Sequence, residues 1–286
     1  MLTRQMLPLL LCPTCQDGDL AIRATQCEGN RILTGDLDCQ SCGSHFPVAG
    51  GVPALMPEGV MDSQEWDEWK RHLDKLQSRR EDRIARPDRT VTRWGRRARP
   101  KRAFAQFTGV DSGRVLDVGC GPGKFRFNFD EDKVEYFGLD PITLSGVSEF
   151  PFVRAVAERI PFADNTFTDV FVLAALDHFR SVDAFASEAA RTLVPGGRLH
   201  ILQSIHDLTG PVSLVRLLGQ RIKDSIEDRV MDHDENEAPK HLSDFNRSSV
   251  KSTFAQYFDV DRSQDHHDRW YTPTKLFLSL RTQAIP

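Results

Sequence analysis

The sequence contains no apolar run that approaches the roughly 20 residues a membrane-spanning helix needs, which argues against an integral helical membrane protein. It also lacks a strong charge of either sign. With 37 Lys and Arg against 41 Asp and Glu, the formal net charge is −4, so no global field draws the chain to nucleic acid or to an anionic membrane. Internal repeats and low-complexity tracts are missing as well. The opening "MLPLLLC", ending at Cys12, has too short an apolar run for a secretory leader, and Leu11 stands where a small cleavage-site residue belongs. These absences lead us to expect a soluble, cytoplasmic protein.

At 286 residues the chain exceeds the usual single-domain size, so one α/β domain with a smaller module is the natural expectation. Residues 1–60 read as a turn-rich unit with strands at "LAIRAT" and "RILTGDLDC", too small in core to stand easily alone. Residues 61–109 read as a helical linker with an arginine-dense stretch interrupted by Pro87 and Pro100, a solvated basic face or a flap over an anionic substrate. From 110 to 286, strand-like runs ("RVLDVG", "VEYFGLD", "FVRAV", "TDVFVLAAL", "GRLHILQSI") alternate with turns and helices, which predicts a parallel sheet. "SVDAFASEAARTLV" is the clearest helix, with Ser181 as N-cap, Phe185, Ala189 and Leu193 on one face, and Pro195-Gly196-Gly197 ending it. Residues 206–256 read as an insertion covering the substrate, and "QYFDVDRSQ" with "TKLFLSLRT" as a terminal antiparallel pair.

Six cysteines stand at 12, 15, 27, 39, 42 and 120. Cys12-x-x-Cys15 and Cys39-x-x-Cys42 are separated by 23 positions, the spacing of a four-thiolate zinc ribbon, so Cys12, Cys15, Cys39 and Cys42 are the expected ligands of a structural zinc ion. Disulfides would need an oxidising compartment, and redox chemistry would need only one such pair. Cys27 reads as a free thiol.

"RVLDVGCGPGKF" places a glycine turn directly after a buried strand, where backbone approaches a ligand without a Cβ in the way. A dinucleotide turn has the pattern G-x-G-x-x-G. Here Gly119, Gly121 and Gly123 are followed by Lys124 where that third glycine would stand, so a pyrophosphate seat is disfavoured.

Read in order, "VLDVGCGPG", the acid ending "YFGLD", "AERIPFADNTFTDV", "LDHF" and "RTLVPGGRLHI" resemble class I S-adenosylmethionine-dependent methyltransferases over about residues 110–205. The resemblance implies a Rossmann-like, seven-stranded α/β sheet. It implies that Gly119, Gly121 and Gly123 border the methionine part of the cofactor, with Asp117 near its amino group and Asp140 on the ribose hydroxyls. The adenine segment reads Val156-Ala157-Glu158, without the aspartate usual in the family. Ala157 would offer its amide, and Glu158 stands as a substitute for the missing acid or as a solvated helix acid. Asp177, His178, Ser204 and His206 follow two strands at the expected crevice. Asp177 is assigned to the cofactor, and His178 and then His206 are candidates for a general base. Asp232, His233, Asp234 and His241 of the insertion read as solvated, substrate-lining or metal-binding groups, solvation being the commoner case for acids in a loop. The cysteine module resembles small zinc-ribbon proteins that activate methyltransferases by docking on them, here fused in front.

The expected function is methyl transfer from S-adenosylmethionine to an oxygen or nitrogen of a small molecule. An RNA methyltransferase is one alternative, favoured by the ribbon and the arginines but disfavoured by the acidic balance and by the lack of an N-P-P-Y type segment. A non-catalytic cofactor-binding scaffold is the other.

Overall fold

The computed structural model describes residues 1–57, 61, 64–85, 99–142, 149–205, 245–267 and 274–283. Strands β1 (Leu20–Glu28) and β2 (Arg31–Cys39) form an antiparallel hairpin turning at Gly29 and Asn30. Strands β3 (His45–Ala49) and β4 (Val52–Pro53) extend it into a four-stranded sheet of order β1-β2-β3-β4. The hairpin register sets Leu20 opposite Cys39 and so brings the two Cys-x-x-Cys turns to the same end.

This small sheet has no core of its own. Leu2, Met6, Leu10, Leu37 and Phe46 share one continuous apolar cluster with Phe137, Phe162 and Phe167 of the larger unit. Backbone bonds close the seam: Leu11 N–H donates to Pro161 O (3.1 Å), Ala163 N–H to Leu9 O (2.9 Å) and Arg154 N–H to Pro53 O (3.0 Å). A unit too small to bury its apolar faces alone thus finds the missing surface on its neighbour.

The larger sheet contains β5 (Gly113–Val118), β6 (Val134–Leu139), β7 (Phe152–Val153), β8 (Phe167–Leu173), β9 (Leu193–Ile205), β10 (Phe258–His266) and β11 (Thr274–Thr282). Their order is β10-β11-β9-β8-β5-β6-β7. Neighbours from β7 through β9 run parallel, and β11 is antiparallel to both β9 and β10, which is the expected terminal pair. Central strands β5 and β8 bury long unbroken runs, Val115–Val118 and Asp169–Leu173, as a sheet covered on both faces requires.

Helix α1 spans Gln64–Ala85, α2 spans 99–108, α3 Val182–Thr192 and α4 Arg247–Phe254. Ser181 caps α3 by accepting from Ala184 N–H (3.2 Å), and Phe185 and Ala189 are buried as the periodicity predicts. Leu193 differs: it is buried but begins β9, and Pro195-Gly196-Gly197 lie inside that strand as an irregularity where the β8 register shifts. Pro100 falls in the first turn of α2, where a missing N–H costs no helical bond. The arginine-rich residues 86–98 and the insertion over 206–244 lie outside the described residues. Among the described residues no helix is long and apolar enough to cross a membrane.

Candidate functional site

The turn after β5 is held by Gly119 N–H donating to Leu139 O (2.8 Å). Gly119 has φ +73°, and a Cβ there would sit 2.6 Å from that of Ala175. Gly123 has φ +64°, and its Cβ would overlap the Phe150 ring. Both positions therefore demand glycine on backbone and packing grounds together. At Gly121 a Cβ would meet nothing within 4 Å, so this backbone faces open space.

Asp140, at the end of β6, is buried and turned toward this loop. Its Oδ2 accepts from Gly121 N–H (2.8 Å) and its Oδ1 from Ile142 N–H (2.9 Å). A carboxylate has about four acceptor sites and can take two hydroxyls side by side. Asp117, on β5, is also buried. Its Oδ2 accepts from the Tyr136 hydroxyl, and its Oδ1 has no hydrogen-bond partner among the described residues. Burial pushes the Asp117 carboxyl up to about 7, against the Tyr136 hydrogen bond and the Lys101 charge on α2, while nearby Asp140 raises it further. An unpaired buried acceptor of this kind fits a ligand that brings a cationic donor.

At the end of β8 the chain passes through Ala174 in the left-handed region (φ +53°), a conformation uncommon outside glycine. The following turn presents Asp177 and His178. Asp177 Oδ1 accepts from Gln203 Nε2 (3.2 Å), and Gln203 Oε1 is buried without a hydrogen-bond partner among the described residues. His178 is half-buried, with Nε2 4.0 Å from Asp177 Oδ2 and Nδ1 3.2 Å from Nε2 of His72 on α1. Trp69, one turn earlier on α1, donates from Nε1 to His178 O (3.0 Å).

Ala157 and Glu158 are buried. Glu158 Oε1 accepts from Arg180 N–H (2.6 Å) and Ser181 N–H (3.0 Å), and burial raises its pKa despite these bonds. That oxygen therefore braces the segment just after His178, and Glu158 is not a solvated helix acid. Ser204 is half-buried on β9, paired in register with Lys275. His206, Asp232, His233, Asp234 and His241 lie outside the described residues.

In the small sheet the sulfurs of Cys12, Cys15, Cys39 and Cys42 all lie within 4.8 Å of one another. The Cys12–Cys42 and Cys15–Cys39 sulfur separations are 3.7 and 3.6 Å. Zinc–sulfur bonds of about 2.3 Å in a tetrahedron separate the sulfurs by about 3.8 Å, so the cluster has the dimensions of a structural zinc site. Cys42 N–H points at Cys39 Sγ (3.4 Å), and a Cβ on Gly18 would collide with that sulfur. Burial pushes the Cys12 thiol up to about 12, whereas hydrogen bonds from Ser44 bring exposed Cys42 down to about 6. Four clustered thiols fit a dication, whose charge stabilises the thiolate at every ligand.

The family model of a methyltransferase domain matches residues 116–201, from the middle of β5 into β9. Residues 116–201 are a methyltransferase domain. The chain is 34% identical over 119 residues to the ubiquinone/menaquinone biosynthesis C-methyltransferase UbiE of Pseudomonas putida, covering 36% of this chain and 46% of that one. It thus spans about half the length of the curated relatives it matches. Among solved structures, the Burkholderia thailandensis 1,6-didemethyltoxoflavin-N1-methyltransferase, with 1,6-didemethyltoxoflavin and S-adenosylhomocysteine bound, superposes with a TM-score of 0.52 at 17% identity, covering 74% of this chain and 89% of that one. The complex of the Haloferax volcanii Trm112 methyltransferase activator with a methyltransferase gives 0.51 at 14%, covering 75% and 98%. At these identities the two superpositions establish the fold.

The methyltransferase domain does not build the cleft alone. Trp66 and Trp69 of α1 are buried with Val156, the residue before Ala157, and Arg180 lies over the Trp66 ring at 4.7 Å. Leu73 and Leu76 pack on the cluster containing Phe104, Leu173 and Leu202. Helix α1 therefore crosses the carboxyl ends of the strands. Tyr136, Lys101, Trp69, His72 and Gln203 all escape sequence reasoning, because no spacing ties them to the glycine turn. The one available signal was the buried pattern of β6, which aims Tyr136 to the same face as other core residues.

Proposed function

We propose that the protein is an S-adenosylmethionine-dependent methyltransferase acting on an oxygen or nitrogen of a small molecule. The observation that carries this reading is the unpaired, buried Oδ1 of Asp117 beside an open glycine turn, with Asp140 one strand away. Asp117 would hold the amino group of the cofactor, and Asp140 the two ribose hydroxyls. The turn at Gly119, Gly121 and Gly123 lets backbone come within contact distance of the methionine portion. Bound S-adenosylmethionine supplies an electrophilic methyl group on a sulfonium. His178, after β8, is the group that would take a proton from the acceptor, with Asp177 beside it. A helix roofing the strand ends favours an acceptor small enough to be enclosed. The four thiols would hold zinc in a structural role within the fused ribbon.

The acidity of Asp117 gives this reading a pH signature. A carboxyl raised to about 7 is protonated below that value, and only its ionised form pairs with an ammonium group. Affinity for S-adenosylhomocysteine should therefore fall as the pH drops from about 8 to about 6, approaching tenfold per unit below about 7. Asp117→Asn should bind weakly and with a flat profile; a flat profile in the wild-type protein would remove Asp117 from the ligand. The acceptor class is tested by incubating the protein with methyl-labelled S-adenosylmethionine and a metabolite extract, with RNA in a parallel reaction. Label is expected in a small molecule on oxygen or nitrogen; label in RNA, or on carbon, would overturn that part of the proposal.

A further inference from the structure

The carboxyl of Asp117 has two unlike oxygens, and one side chain makes them so. Tyr136 donates its hydroxyl to Oδ2, while Oδ1 is buried with no hydrogen-bond partner among the described residues. The parallel register of β5 and β6 explains the contact. Val115 pairs with Tyr136 and Asp117 with Gly138, so Tyr136 lies one step behind Asp117 on the same face, and the position beside the carboxyl carries no side chain. A Cβ on Gly138 would fall 2.6 Å from the Phe150 ring and 2.7 Å from Cys120 Sγ. Other rings hold the phenol in turn: Phe150 meets it edge-on with centroids 5.7 Å apart, and Phe129 lies at 6.4 Å. Phe150 also fills the space against Gly123, so Tyr136 packs as one unit with the glycine turn.

A buried carboxyl with one oxygen occupied has only the other to offer a ligand. If Asp117 took up a proton, that proton would go to Oδ1, since Oδ2 already faces a donor, and the open oxygen would turn from acceptor to donor. Oδ1 therefore receives an ammonium group only while the carboxyl is ionised. We propose that Tyr136 is a positioning residue for Asp117, holding Oδ2 so that Oδ1 is the oxygen presented to the amino group of the bound S-adenosyl compound. This role rests on the assignment of Asp117 to the cofactor. It has an electrostatic side as well. Burial has the largest influence on the Asp117 carboxyl and raises it to about 7, while the Tyr136 bond and Lys101 on α2 oppose that rise and Asp140 adds to it. Burial, with Asp117 and Cys120 nearby, lifts the Tyr136 phenol well above its usual range against the pull of Arg126, so it stays a donor throughout the neutral range. A hydrogen bond to the charged form favours that form, so removing the hydroxyl leaves Asp117 harder to ionise.

The test is calorimetric titration with S-adenosylhomocysteine from about pH 6 to about pH 9, comparing the full-length wild-type protein with Tyr136→Phe, which keeps the packed ring and removes only the hydroxyl. The ligand's own titration is common to both. Wild-type affinity should rise with pH and level off above about 7. A hydrogen bond to a charged group corresponds to about one to two pH units, so the midpoint in Tyr136→Phe should move upward by that amount. Affinity should then be roughly 5- to 50-fold weaker than wild type at about pH 7, with the gap narrowing toward about pH 9. A midpoint unchanged from wild type, whatever the absolute affinity, would overturn the proposal, because a merely structural hydroxyl would not shift it. Should Tyr136→Phe not fold, replacing Tyr136, Tyr257 and Tyr271 together by ring-fluorinated tyrosine, a more acidic phenol and so a stronger donor, should move the midpoint downward. An unmoved or raised midpoint there would overturn it equally. The wild-type protein alone reads the assignment beneath: an absence of binding counts against the methyltransferase reading, and an affinity flat with pH removes Asp117 from the ligand and Tyr136 with it.

Discussion

Replacing Cys39 and Cys42 together by serine should remove one equivalent of zinc per chain and destabilise the whole chain, not only its first 57 residues. Two of four ligands disappear, and the pairs Cys12–Cys42 and Cys15–Cys39 each lose a member. Structural zinc contributes about 10–16 kcal/mol of apparent binding free energy in small metal-dependent domains, comparable to or larger than the net stability of an ordinary domain. The ribbon would not then simply detach. Leu10, Leu37 and Phe46 lie in the same apolar cluster as Phe162 and Phe167, so disorder in the ribbon exposes apolar surface on the methyltransferase domain. A loss of more than about 4 kcal/mol is expected, from the metal and the shared core together. Elemental analysis and thermal unfolding of the double variant check it. A full equivalent of metal in that variant would dismiss the four-cysteine assignment.

The second large effect concerns rate. His178→Ala should slow methyl transfer by about 10²–10⁴-fold, the usual contribution of a positioned general base, while leaving S-adenosylhomocysteine affinity nearly unchanged. The separation is expected because the acids assigned to the cofactor's amino group and ribose, Asp117 and Asp140, sit in β5 and just after β6, whereas His178 follows β8. The rate is read as label transferred to the extract fraction that accepts it from the wild-type protein. Near-normal rates across the neutral pH range would mean that orientation of an already nucleophilic acceptor, and not proton removal, governs the step.

Much of this architecture was legible in the sequence, for local reasons. The ribbon strand "RILTGDLDC" is β2 over its full length, because alternation and the cysteine spacing constrain the same residues. The strands at "RVLDVG", "VEYFGLD" and "TDVFVLAAL" are long buried runs bounded by glycine or acidic turns, and Ser181 announces α3 by its side-chain chemistry. The glycine turn and Asp140 come together because both follow adjacent parallel strands, a consequence of topology that ordered motifs convey. What was hidden depends on distant segments meeting. The linker reads as a solvated helix from its charges, yet Trp66, Trp69 and His72 bury one face of it against the methyltransferase domain, which no spacing within the linker reveals. Glu158 was equally ambiguous from its neighbours, and its bond to the backbone of Arg180 depends on a contact 22 residues away. The strand β9 begins before its glycines because the pairing of Leu193 with Phe167 of β8 outweighs the local turn preference of Pro195-Gly196-Gly197.

The central claim is that the glycine turn, Asp117 and Asp140 form a seat for the S-adenosyl group, and calorimetric titration of the full-length protein with S-adenosylhomocysteine tests it most directly. One molecule should bind per chain, NAD should give no heat of binding, and Asp140→Ala should weaken the interaction by about 1.5–3 kcal/mol, roughly 10- to 150-fold. Binding of NAD in preference to S-adenosylhomocysteine, or an Asp140→Ala variant with wild-type affinity, would contradict the account.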